Sequence, residues 1–189
     1  MIPDYDSYTM SLRERILYTA AAAAAIFAVS YIFYRSLVFS GLLTPLALFY
    51  PRFKTKDIIR RRKKELNIQF KDMLYSLSSS ISAGKSVETA FREVIKDLSV
   101  LYPDPSTLII REVRGIINKL EVNVTLEKAL LDFAERARLE DIDNFVNVFN
   151  ICKRSGGNIA EVIKNTSSII GDRIEVEQEV DTMLAEAQI

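Results

Sequence analysis

The chain has no histidine among its 189 residues, and Cys152 is its only cysteine. Metal sites built on imidazole or thiolate clusters, Ser-His and Cys-His nucleophile pairs and disulfides within the chain are thereby excluded. The lone thiol follows Phe149 by three residues on an apolar helical stripe, which predicts a buried packing residue rather than a reactive one. Strand signals are missing too: no run of alternating residues has turn chemistry on both sides. A surplus of charge is also absent, since 25 basic and 25 acidic residues balance, but the balance conceals a division. Residues 52–64 hold eight basic side chains and one acid, whereas residues 65–189 hold 14 basic and 21 acidic ones. The larger part is therefore acidic, which argues against nucleic acid as its ligand, because neutralising phosphates needs a basic surface.

What is present reads in four parts. Residues 1–15 are short and polar, and the sequence predicts them to be poorly ordered or interfacial. Residues 16–51 hold two apolar runs. The 19 residues from Ile16 to Tyr34 carry no charge and would make a helix of about 28 Å, close to the thickness of a bilayer core. After Arg35, the 15 uncharged residues from Ser36 to Tyr50 are shorter, at about 22 Å. A transmembrane hairpin turning near Tyr34-Arg35-Ser36 is the preferred reading, with Ala20, Ala24 and Ala28 offering a face for close helix contact. A cleavable signal peptide fits less well, because the apolar run is long and a dense basic block follows. That block is the neck, residues 52–65. Its Arg52, Lys54, Lys56, Arg60, Arg61, Arg62, Lys63 and Lys64 predict a membrane-surface segment on the cytoplasmic side. With a hairpin the N-terminus is cytoplasmic as well; with a single span it is outside.

From Leu66 to the end, residues 66–189, apolar residues recur at threes and fours, as amphipathic helices require. Leu66, Phe70, Met73, Leu74, Leu77 and Ile81 form the first stripe, and Ser78, Ser79, Ser80 and Ser82 keep its late turns thin enough for another helix to approach. Gly84 ends it and Ser86 caps the next. Pro103-Asp104-Pro105 forces a loop, Asn123 and Thr125 mark the fourth start, and Asp141 is expected to cap the fifth helix. At Ser155-Gly156-Gly157-Asn158 the fifth helix stops and the sixth begins. Gly156 and Gly157 are expected to stop the helix through the left-handed conformation open to glycine, and Asn158 and Glu161 have the spacing of a capping box. The fold class is all-α: an N-terminal transmembrane hairpin followed by an antiparallel six-helix bundle. The corners Ala83-Gly84-Lys85-Ser86 and Ser155-Gly156-Gly157-Asn158 share one design, as two related helical hairpins would.

Four features come in a telling order: a Phe-Lys-Asp-Met-Leu helix ending in Ser-Ala-Gly-Lys-Ser, then Asp141 through Phe145, then Gly-Gly-Asn-Ile-Ala-Glu-Val-Ile, then Arg173 and a carboxylate-rich helix. Over residues 66–187 the chain resembles the type II secretion F-protein family, and within it the platform proteins of tight-adherence (Flp-type) pili. The resemblance implies a multi-pass inner-membrane platform whose main domain is cytoplasmic. Its implied partners are a hexameric secretion ATPase, pilin subunits, and a second platform protein or a second copy of itself. It also implies further membrane helices after the bundle, which Ile189 precedes. No cofactor and no catalysis are implied.

The candidate partner contacts are Gly156, Gly157, Asn158 and Glu161 at the corner, and Arg173, Glu175, Glu177, Glu179 and Asp181 on the last helix. These acids have no basic neighbour in sequence after Arg173, so they form either a solvated face or a seat for a basic partner. Arg173 can equally pair with a carboxylate on a neighbouring helix. Two other readings are a membrane-anchored signalling or adaptor bundle, and a magnesium-dependent enzyme resting on Glu140, Asp141 and Asp143, whose needed second acidic cluster has only scattered candidates such as Asp132 and Glu135.

Overall fold

The computed structural model describes Tyr5, parts of residues 16–28, and residues 50–186. The expected hairpin lies largely outside these residues, and among the described residues no helix is long and apolar enough to cross a membrane. The chain divides into two compact units, residues 6–62 on one hand and Met1–Tyr5 with Lys63–Ile189 on the other. The second unit holds the helical bundle.

Among the described residues there is no strand, and six long helices succeed one another: α1 Tyr50–Ser82, α2 Val87–Leu101, α3 Leu108–Glu121, α4 Leu126–Ala137, α5 Glu140–Ser155 and α6 Ile159–Glu186. The stripes read from sequence are the buried faces. In α1, Leu66, Phe70, Met73, Leu74 and Leu77 are wholly buried, and Phe70 packs on Phe133 of α4 and edge-on against Phe145 of α5 at 5.5 Å. Such a phenyl ring contributes roughly 1.5–3 kcal/mol by leaving water. α1 starts earlier than the stripe suggests, at Tyr50 rather than Leu66, because nothing between Arg52 and Glu65 breaks a helix and Pro51 falls in its first turn, where it is tolerated.

The helix α1 runs parallel to α5, as the pairs Asn67–Asp141 and Phe70–Phe145 show, and opposite to α6. Lys71 of α1 lies beside Ser167 of α6, whose hydroxyl donates to the Lys71 carbonyl at 3.3 Å, while Lys64 lies beside Glu177 at 3.7 Å, so α1 and α6 are antiparallel. The thin late turns of α1 do not close on α6. Ser78, Ser79 and Ser82 instead line an open groove with Lys164, Ser167 and Ser168.

Three helix ends close in one way, with a left-handed residue followed by an amide that reaches back five residues. Gly84 has φ +86° and Lys85 N donates to the Ser80 carbonyl; Gly156 has φ +70° and Gly157 N donates to the Cys152 carbonyl. Asn123, at φ +62°, ends α3 in the same manner with Val124 N on the Lys119 carbonyl, so it terminates a helix rather than starting one. The positive φ therefore belongs to Gly156 and not to Gly157, because the first residue past the helix is the one that must turn the carbonyls back. Asp141 is also not a cap. The fifth helix begins after Leu139, and Asp141 sits inside its first turn with its side chain turned toward α1 and α6.

Candidate functional site

The named partner-contact residues fall at two opposite ends of the bundle. At the far end from Lys63, both glycine corners are exposed. Ser86 Oγ accepts from Thr89 N at 3.2 Å, and Asn158 Oδ1 accepts from Glu161 N at 3.2 Å, each satisfying an orphan amide of a helix start. Only half of the expected capping box forms, since the Glu161 carboxylate meets the Asn158 side-chain amide at 3.5 Å rather than its backbone. Lys153, one turn before the second corner, bridges Glu88 of α2 at 3.3 Å and Glu127 of α4 at 3.2 Å. Glu88 stands two residues after the Ser86 cap, so this ammonium links the two corners into one face. Partial burial works against the charge of Lys153, but the carboxylates of Glu127 and Glu88 raise its pKa on balance.

The second group lies toward the Lys63 end. Arg173 pairs with the buried Asp141 of α5 at 2.7 Å, and Asn67 of α1 donates to the other carboxylate oxygen at 2.8 Å. Glu177 meets Lys64 at 3.7 Å, which corrects the reading of the last helix as wholly uncompensated: its base comes from α1, distant in sequence and close in space. Glu175 and Glu179 are exposed, as is every residue from Glu175 to Leu184 whose side chain is described; the side chain of Asp181 is outside that set. The membrane-surface bases Lys56, Arg60, Arg61, Arg62 and Lys64 are exposed, and Lys54 and Lys63 partly so; the side chain of Arg52 lies outside the described residues.

Two features escape a reading of the sequence. Glu112 is fully buried, held by Arg136 through two bonds of 2.7 and 2.6 Å, and Arg136 also reaches Asp132, which in turn meets Lys119 at 2.5 Å. Tyr5 completes the set, 4% exposed, its hydroxyl donating to Glu112 at 2.7 Å. Burial, then the Glu112 carboxylate, pushes the Tyr5 phenol far above its usual range. The signal for Glu112 is its place on the apolar stripe between Ile109 and Ile116; Tyr5 has none, and the expectation that residues 1–15 are peripheral fails at this position. Gln69 is the second surprise. It is buried in α1 and its Oε1 accepts from Ile109 N at 3.1 Å, capping α3 where Thr107 makes no side-chain cap.

Asp141 is committed to Arg173 and Asn67, Glu140 and Asp143 are exposed, and among the described residues no three carboxylate or cysteine side chains gather as a cation site. Cys152 is buried, as its stripe position predicts. The described residues form a helical bundle with charged, capped corners exposed at one end. The family model described as Type II secretion system (T2SS), protein F matches residues 73–189. No curated protein and no solved structure matches the chain. The match covers more than half of the sequence, and the chain belongs to the type II secretion system protein F family, whose members are inner-membrane platform proteins of secretion and pilus machinery.

Proposed function

We propose that this platform serves a tight-adherence (Flp-type) pilus, in the role of the platform protein TadB, and couples a hexameric secretion ATPase to the assembly or export of pilins. The single observation that carries this is the far face of the family-matching bundle, where Lys153 links two capped corners into one exposed charged surface. Such a face moves as one piece, which a part that receives thrust requires. In this reading the apolar runs 16–34 and 36–50 form a multi-pass anchor, the bundle is cytoplasmic, and the basic neck rests on lipid headgroups, each base contributing about 1 kcal/mol. Pilin subunits meet the membrane part. The exposed acids Glu175 and Glu179, together with Asp181, receive a basic surface of a second platform protein or a second copy. No bond is made or broken by the chain itself.

The test is retention of the ATPase by the full-length protein after Asn158→Arg and Glu161→Lys are introduced together. Retention falls about tenfold, with helical content unchanged. Undiminished retention removes the far face as the docking surface.

A further inference from the structure

Gly171 has no evident use inside its own chain. It stands in the middle of α6 without a positive φ, and a Cβ added there would meet only the Lys71 side chain, at an ordinary 3.8 Å. A glycine inside a helix costs stability against alanine through its extra backbone freedom. A second helix that comes close to α6 from outside gives it a use, because the distance between two packed helices is set by the side chains at their contact. Gly171 shares one face of α6 with Lys164, Ser168, Glu175 and Glu179, which follow one another at spacings of three and four residues. These four side chains are exposed, and Lys164, Glu175 and Glu179 make no ion pair among the described residues. The bundle also leaves room beside them, in the open groove that Lys164 and Ser168 line with Ser78, Ser79 and Ser82.

The order of charges along this face selects its occupant. A second α6 laid on it in the same direction sets acid on acid and base on base. Laid in the opposite direction, it sets Lys164 of each copy against Glu179 of the other, and Ser168 of each against Glu175 of the other. Both pairs are centred on the peptide between Gly171 and Asp172, so the bare glycine falls where the two backbones come nearest. Ile169 and Val176, 59% and 58% exposed, flank the crossing and cover one another across it. Asp172 approaches its counterpart there, and Lys71, whose stem passes Gly171, brings a base to the same place. We propose that this face is a contact between two copies of the chain, α6 against α6 in opposite directions about a two-fold axis at Gly171. The proposal rests on the reading of Glu175 and Glu179 as a contact for a basic surface, and names that surface as the Lys164 end of a second α6. It does not depend on the ATPase or the pilins.

The experiment follows self-association of the purified full chain in detergent micelles by sedimentation equilibrium, where the native chain is a reversible dimer. Lys164→Glu and Glu179→Lys each raise the dissociation constant about tenfold. Both together in one chain recover most of the loss, because every pair is then only reversed. Gly171→Ala weakens the dimer too, yet at dilutions where the chain is monomeric its melting temperature does not fall. Direction is read by disulfide formation in a Cys152→Ala background. Asp172→Cys links to its own counterpart, whereas Glu179→Cys links only when mixed with Lys164→Cys. A native chain that stays monomeric, charge reversals without effect, or self-linkage of Glu179→Cys overturns the pairing and leaves the platform reading standing, since that rests on the far face. Undiminished ATPase retention by the Asn158→Arg and Glu161→Lys variant removes the far-face reading and leaves the pairing standing.

Discussion

The two glycine corners are built to one plan, and among the positions at which their residues differ one separates them in packing. In each, a left-handed glycine ends the helix, the next amide reaches back five residues, and a polar side chain caps the following helix: Gly84, Lys85 and Ser86 at the first, Gly156, Gly157 and Asn158 at the second. That position is Lys85 against Gly157. A Cβ built on Gly157 would stand 2.8 Å from the Cys152 sulfur, inside any real contact. Lys85 meets no such obstacle. It carries a full side chain that pairs with Glu93, over a helix turn whose corresponding residue is Ser80. The comparison separates two reasons for glycine: backbone conformation at Gly84 and Gly156, which the plan demands, and side-chain crowding at Gly157, which only the second corner has.

The sharpest way to break that distinction is Gly157→Val, which forces Cys152 out of its place and destabilises the bundle by about 3 kcal/mol in a denaturant titration. Adding Cys152→Ala recovers more than half of the loss, because the sulfur is the obstacle. If the double variant is as unstable as the single one, crowding is the wrong cause. Next in size come Gly84→Ala and Gly156→Ala, where a side chain enters the left-handed region at about 1.5 kcal/mol each. Neither position has an atom within 4 Å of an added Cβ, so the two losses should agree within error. A large gap between them would show that the corners do not share a backbone plan. Below these stand the caps, Asn158→Ala and Ser86→Ala, each costing about 1 kcal/mol through one orphaned amide.

How much of this was legible in the sequence depends on how local each cause is. Glycine followed by a capping residue acts within one turn, and the six helices, both corners and the Asn158 cap could be read from it. The family resemblance used the same stretch. The left-handed stop read at both glycines holds at Gly156 and not at Gly157, because two adjacent glycines leave the choice to the hydrogen-bond pattern, which picks the first residue past the helix end. Asp141 misled for a different reason: an acid near a helix start reads as a cap, yet here it is drawn inward by Arg173, 32 residues away. Lys64 and Glu177, Gln69 and Ile109, and Tyr5 and Glu112 are likewise joined only once the bundle exists. A charge on an apolar stripe, as at Glu112, was the one available hint that such pairs were there.

The smallest effect is expected from the converse substitution, Lys85→Gly, which makes the first corner read Gly-Gly like the second. Lys85 is not among the residues with positive φ, so the native backbone gains nothing from a glycine there. The unfolded chain does gain freedom, and the exposed pair with Glu93 is lost, for a combined cost of about 0.5 kcal/mol. Lys85→Ala isolates the lost pair from the added freedom, and should sit between the variant and the native protein. A stabilising outcome for Lys85→Gly would mean that the lysine strains its turn and that the first corner, too, wants a second glycine. The difference between the corners would then lie in what each tolerates rather than in the sulfur beneath one of them.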